Sequence, residues 1–150
     1  MKLATALSQR ADLQRKISEL SVRLNNNAKV QEGEEPAEKP EALLEELDDC
    51  FVDLEELIRR INHTNNVAKI ESYTITDLIA KRDCLKERIR IMRDFLNVSS
   101  DKVSRFSKSE IKIYSTVPVA ELQRQVDNYS KQLRQTVELI QELNWTTDLL

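Results

Sequence analysis

The chain has 150 residues, a net charge of −3 and 33% charged residues, yet it contains one glycine and three prolines. This length allows one domain with a real core, and the scarcity of glycine and proline favours long helices over β-hairpins. The small net charge does not by itself indicate a polyanionic partner. No stretch approaches the ~20 apolar residues that span a membrane.

Two features of the sequence predict a cytoplasmic location. Residues 1–10 lack the apolar run of an export signal. The two cysteines, Cys50 and Cys84, show no CxxC spacing. We therefore interpret them as reduced packing residues rather than as a disulfide or a metal-binding pair.

The first helix is predicted over about residues 2–25. Its apolar side chains recur at spacings of three and four, which is a heptad pattern, and Arg10 is the polar exception within it. Three consecutive asparagines end the helix, because asparagine tolerates the left-handed conformation that closes a helix. A long connection, residues 27–40, follows and contains Gly33.

The second helix is predicted over about residues 40–64, with Pro40 in its first turn, where the missing N–H matters least. The predicted seam consists of Leu44, Leu47, Phe51, Leu54, Ile58 and Ile61. Three further apolar residues widen this seam, namely Leu43, Cys50 and Leu57. A stripe of this width is typical of a bundle helix and leaves room for a further interface.

The third helix is predicted to begin at about Ile75, because Thr74 and Asp77 form a variant of the capping box. Its heptad positions hold Leu78, Arg82, Leu85, Ile89, Met92 and Leu96. The same pattern continues to about Val103. We therefore expect a helix of several heptads with one arginine, Arg82, in its seam.

The fourth helix opens at Pro118, and its heptad seam continues to Leu143. The connection before it, residues 104–117, alternates apolar and polar side chains over 111–117, which is the period of a strand. Residues 28–31 in the first connection are also compatible with a short strand. We predict that these two segments pair as a small two-stranded ribbon.

These elements predict an all-α protein, an antiparallel four-helix bundle that forms a single domain over residues 1–150. In an up-down-up-down bundle the two long connections lie at one end. The turn between helices two and three then lies at the opposite end, together with both chain termini. The predicted ribbon and the predicted polar site described below therefore belong to opposite ends.

Polar residues that interrupt the heptads predict an anion site at this second end. Arg10 and Arg82 each lie about two turns from the same end of their helices, and two buried cations need partners. The candidate anion-binding residues are Arg10, Asn62, Thr64, Asn65, Arg82 and Asn144. The N-terminus of helix three would contribute its positive end. The favoured interpretation is that the arginines instead extend to solvent or pair with Glu55, Glu56 or Glu142.

The sequence predicts no catalytic residue, no metal site and no cofactor. The acidic side chains of helix two occupy outward heptad positions, His63 is the single histidine, and no Glu-x-x-His motif occurs. For nucleophilic catalysis, His63 is the only histidine that could activate either cysteine. One glycine cannot make a glycine-rich phosphate loop. The sequence therefore favours a non-enzymatic protein.

Charge is unevenly distributed, with a net +4 over residues 1–29, −9 over residues 30–60 and +5 over residues 78–112. One hypothesis is nucleic-acid binding through the basic helix 78–103. It would use Lys81, Lys86, Arg88, Arg90 and Arg93. The favoured interpretation is that the basic helices complement the acidic one across the seams of the bundle.

Four short segments carry a resemblance that spans the chain. They are the residues 26–33 (NNAKVQEG), 61–65 (INHTN), 109–112 (SEIK) and 144–147 (NWTT). In these segments the chain resembles a family of small bacterial proteins described as septicolysin-like, in which arginine takes the place of His63. The resemblance implies no catalytic residue. The family name implies a pore-forming cytolysin, although the chain has neither an export signal nor a membrane-length apolar segment.

The leading hypothesis is a cytoplasmic helical bundle that acts through self-association as a homo-oligomer, or through a protein partner. The first alternative is a protein or enzyme that binds a small anion or nucleotide near Arg10, Asn62 and Arg82. Nucleic-acid binding is the second. Trp145 is expected to cover the end of the core, with a partner contact as the alternative.

Overall fold

Four α-helices and one short hairpin form the structure, a computed structural model that describes residues 1–101 and 111–150. The helices are α1 (Leu3–Asn26), α2 (Pro40–Val67), α3 (Ile75–Ser100) and α4 (Val119–Thr146). The strands are β1 (Lys69–Ile70) and β2 (Tyr73–Thr74), which pair antiparallel. The prediction of a mostly helical chain is confirmed, and each helix begins within about one residue of its predicted start.

The chain divides into two compact units. The first unit comprises Met1–Thr74 and Leu143–Leu150, and the second comprises Ile75–Glu142. A single bundle over residues 1–150 therefore stays a prediction. The predicted extension of helix three to Val103 lies partly outside the described residues. Residues 104–110 of the second connection lie wholly outside them.

In the first unit, α1 and α2 pack side by side. The core between them contains Leu20, Leu43 and Cys50, with Leu13, Ile17, Leu24 and Leu47 packed against it. Only part of the predicted seam of α2 is buried. Ile61 is buried and Leu47 packs against the core, as predicted, whereas Leu44 and Phe51 are 49% and 50% exposed. The prediction that these last two residues lie in the core is wrong, because one neighbouring helix covers only part of so wide an apolar stripe.

The connection between α1 and α2 is held by Asn27, which is buried at the end of α1. Its side-chain amide donates to the Arg23 carbonyl oxygen at 2.8 Å, and its side-chain oxygen accepts from the Glu38 N–H at 3.0 Å. The Arg23 guanidinium binds both carboxylate oxygens of Glu38. Gly33 supplies a positive φ of 85° within this connection, a conformation that glycine adopts at little cost.

The two-stranded ribbon forms at a different place from the predicted one. Residues 28–31 and 111–117 contain no strand. The hairpin lies instead between α2 and α3, where Lys69 pairs with Thr74 and Ile70 with Tyr73. Its two-residue loop begins at Glu71, which has a φ of 54°, as tight hairpins require. The predicted placement was wrong because apolar–polar alternation over a few residues predicts a strand only weakly. The geometry of the two-residue loop determines where the hairpin forms.

Both chain ends are fixed onto the first unit. The Leu3 N–H donates to the Thr147 carbonyl oxygen at 2.9 Å, and the Leu149 N–H donates to the Met1 carbonyl oxygen at 2.8 Å. Lys2 and Asp148 form an isolated antiparallel β-bridge between the two chain ends, and their side chains form an ion pair at 3.0 Å. The two ends therefore form a short antiparallel pair.

Thr64, fully buried near the end of α2, joins that pair to the helix. Its hydroxyl donates to the Arg60 carbonyl oxygen at 2.9 Å and accepts the Leu150 N–H at 3.0 Å. Arg60 donates through Nε to the Leu150 carbonyl oxygen at 2.9 Å. One helical turn thus holds the last residue by two hydrogen bonds.

In the second unit, α3 packs on the part of α4 that belongs to this unit. The cluster contains Ile89, Leu96 and Val126, with Met92, Val119, Leu122, Tyr129 and Leu133 packed against it. The buried residues Leu78, Leu85, Ile89 and Leu96 coincide with the predicted heptad of helix three. The Arg88 guanidinium lies 4.9 Å from the centre of the Tyr129 ring, a cation–π contact.

We predict that Thr64→Val destabilises the protein by about 1–2 kcal/mol, because valine keeps the shape but leaves the Leu150 N–H without its acceptor. Urea unfolding measures the free energy. Thr5→Val is the control, since Thr5 is an exposed threonine on α1, and its effect is expected within about 0.5 kcal/mol. Equal losses in both variants would contradict this account of Thr64.

We also predict an acid-dependent loss of stability. The hydrogen bond from Arg23 holds the pKa of Glu38 below its ordinary value of 4.5, and Lys16 lowers the pKa of Glu46 in the same way. Stability from these pairs is therefore present above the ordinary carboxyl pKa and is lost as the pH falls through the lowered one. Urea midpoints should fall below about pH 4.5, less steeply in Glu38→Gln. The exposed Glu35→Gln should behave as wild type.

Candidate functional site

An apolar stripe runs along α2 beside the buried line. We define the α2 stripe as Leu44, Leu47, Phe51, Leu54 and Ile58, which follow one another at spacings of three and four. Leu44 and Phe51 are about half exposed, and the other three are partly buried. Leu47 also packs against the core between α1 and α2, so the uncovered part of the stripe centres on Leu44 and Phe51.

Acidic side chains border the α2 stripe on its solvent side. Asp48 and Glu55 lie four residues after Leu44 and Phe51, so each carboxylate is one helical turn from an exposed apolar side chain. Both acids are exposed. Residues 40–58 contain no basic residue at all. The stripe therefore combines an apolar centre with a uniformly negative margin.

Trp145 does not cover the core as predicted. Its side chain is 69% exposed near the end of α4. The residue lies opposite the buried positions Ile140 and Leu143 on the helix, since it follows Leu143 by two residues. The sequence could not fix this because a tryptophan in the last turn suits either position.

The six predicted anion-binding residues do not share one compact unit. Arg10, Asn62, Thr64, Asn65 and Asn144 belong to the first unit, whereas Arg82 belongs to the second. The Thr64 hydroxyl is used by Arg60 and Leu150, as described above. Asn62 is exposed, and Asn65 and Asn144 are partly buried. An anion site built from all six residues stays a prediction.

The two arginines of the predicted site have different surroundings. Arg82 donates through Nε to Asp83 at 2.8 Å, and this hydrogen bond holds the pKa of the Asp83 carboxyl below its ordinary value. Nε of Arg10 is buried, and no hydrogen-bond acceptor for it lies among the residues that the structure describes. The expected salt bridging thus occurs at Arg82, with a different acid from the predicted ones, whereas Nε of Arg10 has no acidic partner among the described residues.

A groove of about 470 Å³ lies between α1 and α2 in the first unit. Leu13 and Leu57 form part of its apolar lining, and Lys16 and Arg60 are its cations. Lys16 binds Glu46 at 2.8 Å, and Arg60 binds the Leu150 carbonyl oxygen. None of the six predicted anion-binding residues lines the groove.

Other functional classes can be compared with the described residues. No group of three or more His, Cys, Asp or Glu side chains that could hold a metal ion occurs within residues 1–101 and 111–150. In that same part of the chain, no helix has the length and apolar character needed to cross a membrane.

The basic residues predicted to bind nucleic acid lie on α3 and are exposed. Arg90 binds Glu87 at 2.7 Å and Asp94 at 3.2 Å, and its hydrogen bond lowers the pKa of Glu87. Arg93 donates to the Ser130 hydroxyl at 3.3 Å. These local partners offset part of the positive charge, and nucleic-acid binding stays a prediction.

Comparison with known proteins agrees with the helical fold and adds no activity. The chain matches the family of unknown function DUF6847 over residues 10–149. It is similar to the crystal structure of a functionally unknown conserved protein from Corynebacterium diphtheriae, with 40% sequence identity and a TM-score of 0.90. That similarity covers 100% of this chain and 99% of the other. A search of the curated proteins finds no match. Since the family match extends over nearly the whole sequence, the chain belongs to DUF6847, a family whose function is unknown.

Proposed function

We propose that the protein is a non-enzymatic, cytoplasmic helical module that acts through association with another polypeptide chain, in the first instance a second copy of itself. The observation that carries this proposal is the exposure of Leu44 and Phe51 within the α2 stripe, together with its acidic margin. The association is of the coiled-coil type, since the stripe keeps heptad spacing over 14 residues, or ~21 Å of helix.

The physical argument rests on the cost of exposed apolar surface. Covering apolar area contributes about 25 cal/mol per Å². A second helix that covers half-exposed Leu44 and Phe51 therefore contributes to the free energy of association. Single exposed apolar residues are normal on a protein surface, but a continuous series at heptad spacing is a feature of interaction sites. The series here has five members, and Leu44 and Phe51 are its exposed ones.

The acidic margin adds orientation and selectivity. Charged residues beside a coiled-coil seam determine which helices pair, because like charges repel across the seam and opposite charges attract. The exposed carboxylates of Asp48 and Glu55 therefore exclude acidic partners at the α2 stripe. They favour a partner surface that carries basic residues.

We predict that Phe51→Glu weakens self-association at least about tenfold, because it places a charge in the centre of the covered stripe. Light scattering across a dilution series measures the mass. Val52→Glu is the matched control, since Val52 is the next residue, is 67% exposed and lies outside the stripe. Leu44→Glu should repeat the effect of Phe51→Glu. A wild-type protein with the mass of one chain at every concentration would contradict the proposal.

A second candidate function, binding of a small anion, is favoured by Nε of Arg10, which is buried without an acceptor in the described part of the chain. If a phosphate or nucleotide oxygen is its natural acceptor, isothermal titration with phosphate and ATP should detect binding to wild type that Arg10→Met abolishes. Arg82→Met is the comparison, because Arg82 already binds Asp83. Absence of binding to wild type would exclude this candidate for these ligands.

A further inference from the structure

The groove between α1 and α2 is built from equivalent positions on the two helices. Its lining consists of Gln9, Asp12, Leu13 and Lys16 on α1, of Asp53, Glu56, Leu57 and Arg60 on α2, and of Met1. On each helix the last three residues follow the first by three, four and seven positions, which is the spacing of one helical face. The volume of about 470 Å³ lies in the range of small-molecule sites. No residue of the α2 stripe belongs to this lining, so the groove is a separate surface.

The apolar part of the lining comes from both helices. Leu13 and Leu57 occupy equivalent positions on α1 and α2, the first partly buried and the second buried. The Met1 side chain is about half exposed and extends the same surface. Apolar surface gains free energy when it leaves water, so the groove favours a ligand with an aliphatic or aromatic body.

Asp53 is the acidic residue of the groove whose carboxylate is available to a ligand. Arg15 binds Asp12, and Arg59 donates two hydrogen bonds to Glu56, at 2.9 and 2.8 Å. Asp53 is exposed and forms no hydrogen bond or ion pair with any residue in the described part of the chain. A carboxylate beside an apolar surface accepts charge-assisted hydrogen bonds from an ammonium group, and these are stronger than neutral ones.

The two basic residues of the groove have partners other than Asp53. Lys16 binds Glu46 at 2.8 Å, and Nε of Arg60 donates to the Leu150 carbonyl oxygen at 2.9 Å. The surrounding part of α2 is acidic, because residues 40–58 contain no basic side chain. A cation that approaches this helix therefore meets an attractive potential.

We propose that the groove binds a small amphipathic amine, a free molecule in which a primary ammonium group is attached to an aliphatic or aromatic body. The ammonium group donates hydrogen bonds to the Asp53 carboxylate. The body lies against Leu57 and Leu13, since Leu57 follows Asp53 by one helical turn. Between Asp53 and Arg60 the groove extends ~10.5 Å along α2, which accommodates a six-carbon chain. This site goes beyond the proposed function and does not depend on self-association.

Three probes with the same six-carbon chain separate the contributions of charge and apolar surface. They are hexylamine, hexanol and hexanoate, each titrated into ¹⁵N-labelled protein and followed by NMR. Hexylamine should shift the amide signals of the groove residues on both helices. Hexanol should bind at least about threefold more weakly because it lacks the ion pair with Asp53, and hexanoate more weakly still because its charge is repelled. Affinity for the amines should rise about two- to fourfold per methylene from butylamine to hexylamine.

Asp53→Asn tests the ammonium site directly. It should weaken hexylamine at least about threefold and leave hexanol unchanged, since the amide keeps the shape and removes the charge. Asp48→Asn is the matched control, because it removes the same charge from the same helix at an exposed residue outside the groove. This control should bind hexylamine as wild type does, which excludes general attraction to an acidic helix.

Gln9→Trp tests the apolar part of the groove. Gln9 is exposed and lines the groove, so an indole at this position occupies space within it without entering the core. Binding of hexylamine and of hexanol should fall by a similar factor. Circular dichroism of every variant checks that the helix content equals that of wild type.

The results that would overturn the proposal are specific to the groove. They are hexanol or hexanoate binding as tightly as hexylamine, equal losses in Asp53→Asn and Asp48→Asn, or absence of any shift with hexylamine at millimolar concentration. Shifts confined to the α2 stripe would likewise place the amine elsewhere and reject the site. Each of these outcomes leaves the effect of Phe51→Glu on self-association, and with it the proposed function, as a separate question.

Discussion

The width of the apolar surface of α2 is the constraint on which the rest of the first unit depends. The helix carries two adjacent lines of apolar residues. The first line is Leu43, Cys50 and Leu57, and the second is Leu44, Phe51 and Ile58. Together they present more apolar surface than one neighbouring helix can cover. In the structure the first line is buried, whereas Leu44 and Phe51 of the second line are about half exposed and Ile58 is partly buried. The exposed stripe follows directly from that division. Its acidic border arises because the charged residues of α2 fill the positions that neither line occupies.

Much of the fold could be predicted because helix signals are local. Pro40, the capping residues near Ile75 and the heptad spacings predicted where helices begin, and the structure agrees closely. The phase of α2 was not predictable with the same certainty. A wide stripe specifies that a helix is amphipathic, but which of two adjacent lines is buried depends on α1. The ribbon was misplaced for a related reason, since the positive φ at Glu71 that permits the hairpin has no strong signature in a glutamate.

The candidate site shows the same division between local and tertiary information. The polar residues that interrupt heptads were recognisable, and Arg82 does form an ion pair, but its acid is the adjacent Asp83 rather than a distant helix residue. The α2 stripe was recognisable as a surplus of apolar residues on one helix, whereas its exposure required the structure. Trp145 illustrates the limit of position in sequence alone, because a residue in a last turn faces either the core or solvent.

The antiparallel pair between the chain ends has a consequence for how the protein is made. A ribosome adds residues 75–142 before it adds residues 143–150, which belong to the same unit as residues 1–74. The backbone partners of Met1 and Leu3 and the donor to Thr64 therefore arrive last, across a separation of more than 80 residues. Closing so long a loop carries an entropic cost that the α1–α2 hairpin does not face. The first unit thus begins before the second unit along the chain and receives its last hydrogen-bonding partners after it.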